Sequence, residues 1–227
     1  MADDKEGKVR DLAEKRRRNE ITAREAYDEV YRRGLQHGSN SSPITAFVML
    51  AGAILCYVTF FAVVWHLSFL APLSQLPTII FPETVRYLTI IPLILTVVGL
   101  VHTTYLRATK GGTGWKGESE TIILVKEGPY SIVRHGAVLS FSGFFTFLTV
   151  ILSPHVPFNI LSVIGNILFF LACYYSAVEG ERLNRVKWGD EYRQYMKEVP
   201  RFNFVLGLWR RAKRKNKQDS EIYSSSS

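Results

Sequence analysis

The sequence is poor in cysteine and, over long stretches, has no charged residue at all. Only two of its 227 residues are cysteines, Cys56 and Cys173, and each lies inside an apolar run. A scaffold held together by disulfides is therefore excluded, and both thiols are expected to be buried. With 47% hydrophobic residues, the chain is also too apolar to be disordered throughout. Its length suits one domain or one compact bundle.

Several signatures of nucleotide, metal and nucleic-acid binding are missing as well. The glycines of residues 111–114 follow no predicted strand and lack the spacing of a dinucleotide fingerprint, so we predict a flexible turn there. The order of Lys116 and Gly117 is the reverse of that in a phosphate-binding loop. No group of histidines and cysteines has the spacing of metal ligands, so no metal site is predicted. The basic C-terminal segment has no interleaved aromatic residues, which argues against nucleic-acid binding.

Four apolar stretches dominate the middle of the chain. They contain no Asp, Glu, Lys or Arg and cover residues 46–65, 87–105, 136–152 and 158–178. Each is close to the roughly 20 residues that a helix needs to cross about 30 Å of hydrocarbon. The sequence therefore predicts an all-α polytopic membrane protein with four transmembrane helices.

The basic residues are distributed unevenly between the connections. Residues 1–42 contain 10 lysines and arginines, residues 107–134 contain 5 and residues 179–227 contain 12, whereas 71–85 and 153–157 contain none. Basic loops remain on the cytoplasmic side of a bilayer. We therefore expect a multi-pass integral membrane protein in the lipid bilayer, with both termini and the middle loop in the cytoplasm.

The flanking segments complete the predicted organisation. Residues 1–42 form a cytoplasmic helical arm and linker, 43–205 the transmembrane core, and 206–227 a basic tail expected to be disordered. Thr22 and Glu25 have the spacing of a capping box between two short helices of the arm. The arm as a whole is either a solvated amphipathic segment or docks a partner. The basic tail either binds anionic lipid headgroups or only fixes the topology. From Asp190 onward, apolar residues recur with a helical period, which predicts an interfacial amphipathic helix that Pro200 ends.

Residue counting brings several ionisable groups together. The proline-flanked turn at 153–157 makes the third and fourth stretches antiparallel neighbours, and His135 and Glu179 lie at similar distances from it along the chain. His135, Arg134, Glu179 and Glu181 should therefore meet at the cytoplasmic boundary, where charges are costly and count as functional candidates. Such a set suits a ligand with a cationic centre and a ribose. The alternative is an ion-pair network that only anchors two helix ends.

Two separated motifs carry a family resemblance. The first comprises Leu124-Val125, Gly128-Pro129-Tyr130 and Arg134-His135, and the second comprises Gly189, Tyr192, Tyr195 and Val199-Pro-Arg-Phe202. Over about residues 86–205 the chain resembles the isoprenylcysteine carboxyl methyltransferases and related phospholipid N-methyltransferases, which are integral-membrane enzymes that use S-adenosyl-L-methionine.

The resemblance implies a methyltransferase that acts on a lipophilic or membrane-embedded acceptor at the cytoplasmic face. The cofactor would be contacted mainly through the backbone of Ile122, Ile123, Leu124 and Val125. Its cleft would be completed by Tyr130, His135, Gly136, Ala137 and Val138, and its polar end would be held by Glu181, with Glu179 in reserve. His135 would accept a proton from an amine acceptor, and Arg134 would hold a carboxylate or phosphate.

The sequence departs from the family pattern at several positions. Gly136 replaces a proline, Val138 replaces a tyrosine, and Gly180 replaces the first glutamate of a pair. No arginine occupies residues 175–177, where the prenylcysteine enzymes bind the substrate carboxylate, so protein prenylcysteine is not the expected substrate. Two alternatives follow: a catalytically silent membrane scaffold of the same fold, or an NADPH-dependent enzyme similar to sterol reductases. A transporter is least favoured, because the spans show no inverted repeat.

Overall fold

The computed structural model describes residues 2–36, 42–64, 72–73, 75–155 and 157–225. Over these ranges the chain forms helices and no strand. The helices are α1 (Ala2–Arg17), α2 (Ala23–Arg32), α3 (Pro43–Val64), α4 (Glu83–Lys110), α5 (Gly136–Leu152), α6 (Ile160–Glu198) and α7 (Phe204–Ser225). Two short 3₁₀ helices, Trp115–Glu120 and Gly128–Ser131, lie between α4 and α5. The predicted all-α class is therefore confirmed for the described residues. Most of the predicted linker, and the end of the first apolar stretch, lie outside them.

Two helices are long and apolar enough to cross a membrane, namely α4 and α6. The Pro43–Val58 part of α3 and the whole of α5 are apolar but shorter. The apolar side chains of α4 are largely exposed, with Ile91 62% and Leu95 64% exposed. A helix with such an apolar surface is typical of a lipid-facing segment. A membrane protein is thus weakly supported, whereas four spans and the cytoplasmic orientation of the termini stay predictions.

The chain divides into two compact units, each made of several segments. The first contains Met1–Gly38, Val101–Ala137 and Glu181–Ser227, and the second contains Ser39–Leu100 and Val138–Gly180. The predicted domain boundaries, which follow the chain consecutively, stay a prediction.

In the second unit, small residues allow helices to approach closely. A Cβ on Gly52 of α3 would lie 2.7 Å from the backbone nitrogen of Phe169 on α6, and one on Gly165 would lie 2.7 Å from that of Cys56. A Cβ on Gly99 of α4 would lie 2.5 Å from Ser140 Oγ on α5. Contacts of this kind replace hydrophobic burial as the packing force between helices in lipid.

In the first unit, the N-terminal arm packs onto the loop that follows α4. Thr22 Oγ1 accepts the N–H of Glu25, and the Glu25 carboxylate accepts the N–H of Thr22, so the predicted capping box is present. α1 begins at Ala2, and i,i+4 ion pairs such as Lys8–Asp4 support its first turns. Both arm helices share a core with the loop through Val9, Leu12, Ala26, Val30, Leu35 and Ile122.

The C-terminal segment forms helix α7 over Phe204–Ser225, which differs from the disorder expected for residues 206–227, whose last two residues lie outside the described ranges. Asn203 Oδ1 accepts the N–H of Leu206 at 3.0 Å and caps the start of α7. Arg214 donates to the carbonyls of Glu198 at 2.9 Å and Ser131 at 3.1 Å. One face of the helix thus finds partners within the first unit.

Candidate functional site

Two backbone hydrogen bonds join the two motifs. The N–H of Arg134 donates to the carbonyl of Pro200 at 3.0 Å, and the N–H of His135 donates to that of Arg201 at 3.4 Å. The first segment of this contact leaves the Gly128–Ser131 turn, and the second follows the end of α6, which stops before Pro200 as predicted. Residues more than sixty positions apart thus lie side by side, and their side chains point to one carboxylate.

That carboxylate belongs to Glu181, on the part of α6 beyond the predicted span 158–178. Its side chain is 2% exposed and accepts five hydrogen bonds. Arg134 donates from Nε (3.2 Å) and Nη2 (2.9 Å) to Oε1. Arg201 donates from Nε to Oε1 at 2.9 Å and from Nη2 to Oε2 at 2.7 Å. His135 Nε2 lies 3.2 Å from Oε1.

Arg134 also holds the end of α6. Its Nη1 donates to the carbonyls of Met196 at 2.6 Å and Val199 at 2.8 Å, groups that have no partner within a helix at its C-terminus. Nearby, the Tyr195 hydroxyl donates to the Tyr130 carbonyl at 2.6 Å. The same guanidinium therefore links a buried carboxylate to a helix terminus.

The surroundings set the charge states of this cluster. Burial raises the pKa of Glu181, but the hydrogen bonds from Arg201 and His135 and the charge of Arg134 outweigh it, so the pKa lies well below its usual value. Burial lowers the pKa of His135 more than the neighbouring carboxylate raises it. Near neutral pH the cluster therefore contains one carboxylate, two guanidiniums and a neutral imidazole.

Glu179, the reserve carboxylate, has a different role. It belongs to the second unit, where its Oε2 accepts the N–H of Ser42 at 2.9 Å and its Oε1 accepts the Thr45 hydroxyl at 3.3 Å. Both donors lie at the N-terminus of α3, where a negative charge is favourable. Glu179 thus caps a helix, and within the first unit it is Glu181 that the structure brings to His135 and Arg134.

The segment expected to contact a cofactor is held by the protein itself. The N–H groups of Ile122 and Ile123 both donate to the carbonyl of Gly111, and the carbonyl of Ile122 accepts Trp188 Nε1 at 3.2 Å. Leu124 packs on the cluster of Tyr192, Tyr195 and Val199, and Val125 is half-buried.

In the glycine turn, residues 111–113 are buried and Gly114 is half-buried, and the flexibility expected there stays a prediction. A Cβ on Gly111 would lie 2.2 Å from Thr121 Cγ2, and Thr113 is buried with its hydroxyl donating to Gly117. The close approach of these segments explains why glycine occupies the turn.

The remaining candidates are divided between the units. In the first, Tyr130 is buried, which raises the pKa of its hydroxyl, and a Cβ on Gly136 would lie 3.2 Å from Thr103 Cγ2. Ala137, also in the first unit, is half-buried, and Val138 is half-buried in the second.

Sequence reasoning missed two residues of the first unit. Arg201 received no role, although its place in the Val199–Phe202 motif was a usable signal. Nothing in the sequence around Lys187 pointed to a role for it. Its side chain is 2% exposed, and its Nζ lies 3.9 Å from Glu120 Oε2 and 5.3 Å from the centre of the Trp188 ring. Burial lowers the pKa of Lys187 to about 7.

Among the described residues, no group of three or more His, Cys, Asp or Glu could hold a metal ion.

Comparison with known proteins adds no relative: no family model, no curated protein and no solved structure matches the chain.

Proposed function

We propose that this chain is an integral membrane protein with four spans and cytoplasmic termini that transfers a methyl group from S-adenosyl-L-methionine to a lipophilic acceptor at the cytoplasmic face. The observation that supports this most is the meeting of Arg134-His135 with Pro200-Arg201 around Glu181. These residues come from the two separated motifs of the family resemblance. Their meeting is what a shared site would require.

The membrane part of the proposal rests on composition and exposure. Both α4 and α6 are long and apolar enough to span, and α4 exposes most of its apolar side chains. The connections at 71–85 and 153–157, which contain no lysine or arginine, alternate with basic connections, as four spans require.

The residues that the family resemblance assigns to cofactor binding do not fit the cofactor in their present arrangement, because the protein itself occupies their polar groups. Glu181 is 2% exposed and surrounded by the protein's own donors, and both backbone polar groups of Ile122 are already bonded. We therefore assign Glu181 a positioning role and derive no step through the cofactor.

The geometry defines what His135 can do by itself. An ionised carboxylate only accepts hydrogen bonds, so His135 Nε2 carries the proton that Glu181 accepts. Nδ1 is then the basic nitrogen of a neutral imidazole. His135 could take a proton from an amine at Nδ1, while Glu181 stabilises the resulting imidazolium.

A second candidate is a catalytically silent membrane scaffold. The Glu181 carboxylate already accepts hydrogen bonds from Arg134 and Arg201. This favours the scaffold, because an ion-pair network that joins two chain segments needs no ligand. The departures at Gly136, Val138 and Gly180 point the same way.

The experiment uses the full chain purified in detergent and reconstituted with a lipid extract. Calorimetry measures binding of S-adenosyl-L-methionine, with NADPH as a competing candidate, and transfer of a labelled methyl group to lipid is followed in parallel. We expect binding and transfer by the wild type, and loss of transfer with retained binding in His135→Ala. The exposed Glu191→Gln serves as control. Absence of both binding and transfer would leave the scaffold, and binding of NADPH alone would indicate a reductase.

A further inference from the structure

α7 has one face that is fixed to the first unit. Gly207 is buried, and a Cβ there would lie 2.0 Å from the carbonyl oxygen of Ile132. Arg210 donates to the carbonyl of Lys197 at 3.1 Å, and Arg214 donates to those of Glu198 and Ser131. At about 100° per residue, positions 207, 210 and 214 share one side of the helix.

The opposite side of α7 is apolar and exposed. Phe204, Val205, Leu208 and Trp209 are 57%, 64%, 49% and 61% exposed, and helical geometry places them on one continuous arc with Ala212. Large apolar side chains are costly to leave in water, and a contiguous group of them marks an interaction surface.

Exposed cations accompany this arc. Arg211 and Lys213 lie on its two borders and Lys215 lies one turn further along, and all three are exposed. Lys213 Nζ lies 5.7 Å from the centre of the Trp209 ring. The surface thus combines an apolar stripe, a tryptophan and flanking positive charge, which is the pattern of helices that lie in a membrane interface.

We propose that the exposed face of α7, formed by Phe204, Val205, Leu208 and Trp209 with Arg211, Lys213 and Lys215, docks on a membrane surface that contains anionic lipid. Charge complementarity decides for this partner, because Arg211 and Lys213 border the apolar arc and Lys215 follows its last apolar residue along the helix. Among the described residues, α4 and α6 are apolar enough to enter a bilayer. The proposal does not depend on methyl transfer.

The test places an environment-sensitive dye on the full chain in nanodiscs. Cys56 and Cys173 are replaced by alanine and the dye is attached to Leu208→Cys, with Arg24→Cys on the exposed side of α2 as the reference position. Discs contain either phosphatidylcholine alone or a mixture with phosphatidylserine. In mixed discs we expect a blue shift at position 208, quenching by spin-labelled lipid, and reversal at high salt.

A matched pair of charge variants isolates the electrostatic part. Arg211→Gln, Lys213→Gln and Lys215→Gln together should lower the ratio of docked to undocked helix by on the order of a hundredfold. The control removes three exposed charges from the arm, Lys8→Gln, Arg18→Gln and Arg24→Gln, and should leave the signal unchanged. The dye for this control is carried at position 208 only.

Three results would overturn the proposal. The first is a dye at position 208 that stays water-exposed in mixed discs. The second is an equal response of both triple variants, and the third is a blue shift that appears only when an acidic protein or RNA is added. None of these readouts depends on cofactor binding, so failure here is distinguishable from failure of the methyltransferase proposal.

Discussion

At the scale of single residues, one buried carboxylate holds three basic side chains. Glu181 is the carboxylate that contacts both guanidiniums, that of Arg134 with 8% and that of Arg201 with 28% of the side chain exposed. Forming such a cluster is costly because all its members lose hydration, but removing one member costs more than the cluster as a whole contributes. The stability of the first unit should therefore depend strongly on Glu181.

We expect Glu181→Gln to lower the free energy of unfolding by about 3–5 kcal/mol, because it leaves Arg134 and Arg201 next to a neutral amide. Thermal unfolding in detergent, followed by circular dichroism, measures the loss. The control is Glu191→Gln, whose carboxylate lies 2.9 Å from Lys126 Nζ with both side chains 44% exposed. Exposed pairs contribute at most about 1 kcal/mol. Equal losses in the two variants would contradict the assigned role of Glu181.

A second residue-scale prediction concerns pH. Burial lowers the pKa of Lys187 to about 7 from the 10.5 of a free lysine, although the charge of Glu120 opposes this. Between these values the unfolded chain holds a proton that the folded chain has lost, so stability rises with pH by up to about 1.4 kcal/mol per unit. Lys187→Met should flatten the rise between pH 7 and 9, because the group that loses its proton on folding is gone.

Unfolding midpoints measured at half-unit steps of pH provide the readout for Lys187. The control is Lys126→Met, at a lysine whose side chain is 44% exposed, and it should keep the wild-type slope. A wild-type slope in Lys187→Met would show that other groups cause the pH dependence.

The candidate site could be predicted from sequence only in part. Counting residues from the turn at 153–157 brought His135 near Glu181, because helices rise by a fixed distance per residue. Counting could not choose between Glu181 and Glu179, which depends on where each side chain points around α6. It also could not reveal Arg201, because the path of the chain after Pro200 follows from tertiary hydrogen bonds.

At the scale of elements, Gly189 divides α6. Its φ of 48° and ψ of −124° are rarely adopted by residues with a side chain. The Glu6 carboxylate of α1 lies against it, and a Cβ at residue 189 would be 2.2 Å from Glu6 Oε2. The kink therefore contacts the N-terminal arm, in addition to the apolar core that the arm shares with the loop after α4.

We expect Gly189→Ala to destabilise the first unit by about 1–3 kcal/mol through backbone strain and to release α1. Hydrogen exchange with mass spectrometry should show faster exchange in Ala2–Arg17. Gly7→Ala is the matched control: nothing lies within 4 Å of its Cβ position, and alanine is favoured by up to about 1 kcal/mol inside a helix. Unchanged exchange in α1 after Gly189→Ala would refute the docking role.

The elements differed in how far the sequence determined them. The break in the arm and the capping box at Thr22 were predictable, because they depend on neighbouring residues. The helix at Phe204–Ser225 was not, because the sequence was expected to form a disordered basic tail. Its order depends on partners far along the chain, such as the carbonyl of Ser131 for Arg214.

At the scale of the whole molecule, the number of spans is the open structural choice. Helix α5 has 17 residues, about 26 Å at 1.5 Å per residue, slightly less than the hydrocarbon thickness. Local thinning of the bilayer tolerates such a mismatch at modest cost. The distribution of lysine and arginine requires α3 and α5 to cross, whereas length and composition alone select α4 and α6.

The two topologies differ in the location of two exposed residues. With four spans, Lys116 faces the cytoplasm and His155 faces the opposite side. If only α4 and α6 crossed, residues 111–159 would form one connection and both residues would face the same side.

Single cysteines at each position, in a background of Cys56→Ala and Cys173→Ala, can be labelled with a membrane-impermeant maleimide in sealed vesicles of known orientation. Lys8→Cys marks the side of the arm. We expect Lys116→Cys to label together with Lys8→Cys, and His155→Cys only from the other side, because basic loops are retained in the cytoplasm. Labelling of positions 116 and 155 from one side would exclude four spans, and with them the cytoplasmic site proposed for Arg134 and His135.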